Sequence, residues 1–111
     1  MGLVHAFAAG IQEMLLQSHA GEIVVFPAIP DDWQDMGFNQ LRARGGFLIS
    51  AEREGGQVQF VKAESTVGGL LEIVDPFGQT EFDCNLHYAL EDGVLKVEME
   101  AGDVAVFKIK Q

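Results

Sequence analysis

The amino-acid sequence predicts a mainly β protein, an antiparallel β-sandwich of about seven or eight strands preceded by one amphipathic α-helix. Three observations carry this reading. Apolar residues recur every three or four positions over residues 4–19 and mostly every second position afterwards. Glycine-bearing turn signals, RGG, EGG, DPFG, EDG and AGD, punctuate the chain from residue 44 onward. The segments between them are short and follow one another at spacings of about ten residues, as in a sandwich.

The helix is expected over residues 4–19. Val4, Phe7, Ala8, Ile11, Met14, Leu15 and Ser18 share one stripe, and Leu16 widens it. Gly21 stands where a left-handed C-terminal cap would end the helix, with His19 in the last turn. At about 1.5 Å per residue such a helix spans roughly 24 Å. The period then changes to two, and EIVVF (22–26) reads as a strand. PAIPDDWQDMG follows as a turn-rich connection, because Pro27 and Pro30 fix their own backbone and push the preceding residues toward extended conformations. Further strands are expected at Leu41–Arg44, Phe47–Arg53, Val58–Glu64, Gly69–Val74, Glu81–Leu86, Val94–Met99 and Val104–Lys110. Alternation is clearest in VQFVKAE and VLKVEME.

Helix and sandwich do not form an obvious pair. A sandwich fills its core between its own sheets, whereas a helix apolar around more than half its girth needs cover on two sides. The expected organisation is therefore residues 1–20 as a helix belonging with a second domain, and residues 21–111 as the sandwich domain.

Composition narrows the function classes. A 48% hydrophobic content excludes a disordered chain, and no apolar run approaches the roughly 18 residues of a membrane span. MGLVHAFAAG has no Lys or Arg, unlike a secretory signal. Seven Lys and Arg stand against 17 Asp and Glu, for a net charge of −10. That balance argues against nucleic acid and against an anionic membrane surface as partners. Cys84 is the single cysteine, so neither an internal disulfide nor a cysteine zinc cluster is expected, and it reads as a small core or face residue. No cofactor motif is present. Gly45-Gly46 lacks the Lys-Ser/Thr of a phosphate loop and suits a tight turn or bulge.

A few residues invite chemical readings. Asp31, Asp32 and Asp35 cluster around Trp33, and an aromatic platform beside carboxylates can hold a sugar, with Tyr88 as a second ring. The plainer reading is a proline-rich turn with solvated acids and a tryptophan closing the core edge. His5, His19 and His87 have no second strong metal ligand at helical or strand spacing, although Asp83, Asn85 and His87 would share one strand face. Ser18-His19 is not a catalytic pair, since helical neighbours point about 100° apart. Arg42 and Arg44 alternate on one strand and are expected in structural ion pairs, with the acidic turn at 31–35 or with carboxylates outside this chain.

Four pieces in order then become specific. They are EMLLQSH (13–19), Glu22 to Phe26 with Pro27-Ala28-Ile29-Pro30, Trp33, and Leu41-Arg42-Ala43-Arg44-Gly45-Gly46-Phe47. Together they resemble the C-terminal region of glycoside hydrolase family 95, the alpha-L-fucosidase-like enzymes. Residues 53–111, with DPFG and AGDVAVFKI, resemble the β-sandwich that closes those enzymes. The resemblance implies that the helix is the last of an (α/α)6 catalytic barrel and that the strands pack on that barrel. It also implies a parent acting on alpha-L-fucosides, with galactosides as a related specificity, and often exported. One acidic member of the family's catalytic set precedes the AFAAG-like helix start, but Met1-Gly2-Leu3-Val4-His5 hold no carboxylate. No catalytic residue is carried over, and the expected role is a non-catalytic accessory domain. A carbohydrate-binding module using Trp33 is the alternative. Isolated from its barrel, the chain is expected to self-associate through the helix.

Overall fold

A computed structural model describes residues 14–27, 29–30, 32–78 and 80–110. They form two five-stranded sheets packed face to face. The strands are β1 (Leu16–His19), β2 (Glu22–Val25), β3 (Met36–Ala43), β4 (Phe47–Glu54) and β5 (Gln57–Ser65). They continue with β6 (Gly69–Val74), β7 (Phe82–Cys84), β8 (Ala89–Glu91), β9 (Val94–Met99) and β10 (Val104–Ile109). The first sheet runs β1-β2-β6-β9-β8 and the second β3-β4-β5-β10-β7. Every pairing is antiparallel except β2 with β6, which is parallel through Ile23 and Ile73.

The core fills the space between the sheets, as alternation demands. Ile23, Leu71, Ile73, Leu95 and Val97 point inward from the first sheet and Ile49, Val61, Ala63, Ala105 and Phe107 from the second. One end is closed by rings: Phe77 stacks on Phe82 at 4.9 Å, and Tyr88 and Phe107 pack around Phe82. The DPFG turn delivers Phe77 there, because Asp75 Oδ1 accepts the Phe77 N–H at 2.9 Å.

The mainly β, sandwich-like prediction holds. Residues 4–13 of the expected helix lie outside the described residues, but its last four residues are strand. Leu16–His19 pairs with Glu22–Val25 through a two-residue turn in which Ala20 (φ 53°) and Gly21 (φ 87°) are both left-handed. A left-handed glycine after an apolar segment fits a helix cap and a type I′ hairpin turn equally well. Here the hairpin wins, because it turns Leu16 into the core with Val25 opposite. Phe26 N–H donates to the Leu15 carbonyl at 2.7 Å, carrying the pairing one residue further.

Strand β3 begins five residues earlier than expected. A bulge at Asn39 and Gln40 separates the Phe38↔Ala51 pair from the Leu41↔Ile49 pair. Phe38 and Leu41 are three apart and would face opposite sides of a regular strand. The extra residue returns both to the core side, Phe38 buried and Leu41 half-buried. Buried Ser50 fixes the bulge: its Oγ accepts Gln40 N–H at 2.9 Å and donates to Asn39 Oδ1 at 2.9 Å.

Candidate functional site

The segment around Trp33 is bound to the β4–β5 hairpin. Arg53 Nη1 donates to the Trp33 carbonyl at 2.7 Å, Gly55 N–H to Asp35 Oδ1 at 2.7 Å, and Gly56 N–H to the Gln34 carbonyl at 3.2 Å. Asp35 is thereby an anchor for a tight glycine turn rather than a free acid. Asp32 is exposed, Trp33 is 36% exposed, and Asp31 lies outside the described residues. Beside this segment a groove of about 450 Å³ runs between Phe26, Ile29, Arg53, Gln57 and Phe77. Among the described residues, neither Trp33 nor any Asp or Glu lines it.

Arg42 and Arg44 are both exposed, with half-buried Ala43 between them, as strand spacing predicts. Arg44 N–H donates to Ser18 Oγ at 3.4 Å, tying β1 of one sheet to the end of β3 in the other. Among the described residues the ion pairs fall elsewhere. Lys96 stands 3.2 Å from Glu91 and 3.8 Å from Glu72, and Lys110 stands 3.7 Å from Asp83 and 3.9 Å from Glu81. The hydrogen bond and charge of Glu91 hold the Lys96 ammonium above its usual range.

Asp83, Asn85 and His87 are all exposed and alternate with half-buried Cys84, Leu86 and Tyr88. Strand β7 ends at Cys84, and beyond it the Asn85 side chain turns to the backbone of β10. Its Nδ2 donates to the Val104 carbonyl at 2.9 Å and its Oδ1 accepts Val106 N–H at 2.7 Å. An amide side chain can mimic a peptide group in this way, but a lone asparagine in sequence gives no sign of it. Among the described residues no group of three or more His, Cys, Asp or Glu could hold a metal ion. Cys84 is half-buried, and burial pushes its thiol pKa up against a hydrogen bond from the Leu86 backbone. A raised pKa makes it a weak nucleophile at neutral pH.

Comparison with known proteins agrees with this architecture. Residues 17–111 match the model of glycoside hydrolase family 95, C-terminal domain. The chain belongs to glycoside hydrolase family 95. A curated relative, alpha-L-fucosidase 2 of Arabidopsis thaliana, is 45% identical over 56 residues. That match covers 49% of this chain and 7% of the relative, so the family 95 domain corresponds to a small part of a much longer protein. The family match takes in β2 to β10 and all of β1 except Leu16, which agrees with β1 being part of the sandwich.

Proposed function

We propose that this domain is a non-catalytic brace of a family 95 enzyme, packed against a catalytic barrel that acts on alpha-L-fucosides. The observation that carries the reading is the match of residues 17–111 to the C-terminal domain of the family, and among the described residues the groove beside Trp33 is lined by no carboxylate. Glycoside hydrolysis ordinarily needs two carboxyl groups facing one another across the sugar, about 5–5.5 Å apart for retention or about 6.5–9.5 Å for inversion. The name of the Arabidopsis relative supports the fucoside, and the small share of it that is matched supports an active site elsewhere in the longer chain. The boundary between barrel and sandwich belongs before Leu15 rather than at residue 20, since Leu15 and Leu16 are buried in the sandwich core. Arg42 and Arg44 serve as ion-pair partners for carboxylates of the barrel.

The test compares the full-length enzyme, the same enzyme ending before residue 14, and the isolated domain. Hydrolysis of an aryl alpha-L-fucoside and thermal inactivation are followed for each. The isolated domain is expected to be inactive, and the shortened enzyme to inactivate at lower temperature than the full-length one. Fucoside hydrolysis by the isolated domain would sink the non-catalytic reading. Equal heat resistance of the shortened and full-length enzymes would sink the bracing role.

A further inference from the structure

The two open sides of the sandwich differ. On one side the edge strands are β7 and β8, only three residues each, and the chain itself crosses between the sheets there through residues 85–88. That side is short-edged and covered by its own chain. On the other side lie β1 and β3. Strand β3 is eight residues long and, among the described residues, pairs only with β4. A long edge strand with one side of its backbone unpaired is normally shortened, charged or covered.

Two further observations mark that side. The chain enters the sandwich there: Leu15 is fully buried, its carbonyl takes the Phe26 N–H, and β1 then runs along the edge next to β3. Whatever precedes residue 14 is therefore tethered within a few residues of this edge, which raises its effective concentration there. The same edge carries Arg42 and Arg44, both exposed, in a chain of net charge −10. Among the described residues, no carboxylate forms an ion pair with either.

The two sheet faces mix charged and apolar side chains. On the first sheet the outward positions carry Glu22, Glu72, Lys96 and Glu98 together with Val24, Leu70 and Val74, with Lys96 already paired to Glu72. On the second, Glu52, Lys62, Glu64 and Lys108 face away from the core together with Leu48, Phe60, Val104 and Val106, and Arg42 of the edge strand stands opposite Leu48 on the same side.

We infer that the domain meets the preceding part of its enzyme along the β1/β3 edge, with Arg42 and Arg44 paired to carboxylates of that part. This rests on the bracing role proposed above. The partner surface is accordingly acidic where it faces position 42 and position 44, and it covers the unpaired side of β3.

The experiment uses the full-length enzyme that carries this domain. Arg42→Glu/Arg44→Glu is compared with Lys62→Glu/Lys108→Glu by scanning calorimetry. The edge reversal is expected to split a single cooperative transition into two, and the face reversal to leave it single. A second measurement guards against a variant that fails to fold. Arg44→Lys is treated with a zero-length carbodiimide cross-linker and mapped by mass spectrometry. A cross-link from position 44 to an Asp or Glu preceding residue 14 supports the edge. Cross-links to that region from Lys62 or Lys108, with none from position 44, overturn it and place the contact over the inner strands β5 and β10. An unsplit transition in the edge variant, with no cross-link from position 44, also overturns it. The arginines would then only deter strand addition. Deletion of the whole domain separates the two readings. If deletion lowers heat resistance while the edge variant behaves as wild type, only the edge assignment fails. If deletion changes nothing, the bracing role fails with it.

Discussion

Ser50 Oγ donates to Asn39 Oδ1 at 2.9 Å and accepts the backbone N–H of Gln40 at the same distance, so one buried hydroxyl serves both residues of the β3 bulge. The bulge in turn brings Phe38 and Leu41 to the same side of the sheet. A single side chain on β4 therefore governs the register of its neighbour.

Ser50→Ala is expected to destabilise the domain by about 0.5–1.5 kcal/mol, because it removes the two part-buried hydrogen bonds that hold the bulge. Chemical unfolding of the two proteins gives the difference directly. A loss within a few tenths of a kcal/mol would mean that water or another group satisfies Gln40 and that the bulge does not depend on Ser50.

The Gly-Gly turn before Phe47 offers a contrast between two glycines. Gly46 has φ 79°, and a Cβ there would stand 2.8 Å from Val67 Cγ2 and 2.9 Å from Thr66 Oγ1. Its carbonyl also accepts the Thr66 N–H at 2.9 Å, so the turn cannot simply move away. Gly55 has φ 59° and open space around it. Gly55→Ala is expected to cost about 1 kcal/mol for the left-handed backbone alone. Gly46→Ala is expected to cost more, at about 2–3 kcal/mol, since strain and overlap add. Adding Val67→Ala to Gly46→Ala should recover part of the difference, which a set of unfolding curves would show.

Much of this fold was legible in the sequence. The turns RGG, EGG, DPFG, EDG and AGD and the strands between them follow from glycine chemistry and period-two patterning. Three features were not legible, each for a physical reason. Strand β1 shares its left-handed turn with a helix cap, and only pairing with β2 distinguishes them. The first half of β3 was lost because a bulge breaks alternation at the point where alternation is the signal. Strand β8 is three residues long and exposed throughout, so it has no apolar pattern to read. Of the candidate site residues, Arg42 and Arg44 are both exposed, Arg42 in β3 and Arg44 in the turn just after it. Asp35 is drawn into a backbone anchor that depends on a hairpin 20 residues away. Asn85 likewise acts through β10, which no local window reveals.

Burial raises the Cys84 thiol pKa, so its reaction with a disulfide reagent should have a pH profile displaced to the alkaline side of that of the unfolded chain. The sign for stability follows. The folded state holds this proton more tightly, so the contribution is complete below the unfolded pKa, in the usual cysteine range of about 8.5. It is lost as pH rises through the higher folded value. Cys84→Ser should remove that part of the alkaline stability loss. Identical pH profiles for the folded and unfolded thiol would contradict the burial.

The apolar residues Val4, Phe7, Ala8 and Ile11 precede a sandwich whose core is already filled from both sheets. Each large apolar side chain left in water forgoes about 1.5–3 kcal/mol, so several together favour association. The 111-residue chain is expected to self-associate, with a mass in light scattering that falls on dilution. A chain beginning at Met14 is expected to be monomeric, because it retains Leu15, Leu16 and the whole core. Association of both chains to the same extent would move the contact into the sandwich, and the β1/β3 edge would be the first place to test. A monomeric full chain would mean that these residues find their cover on their own sandwich, and the case for a severed barrel contact would lose that support.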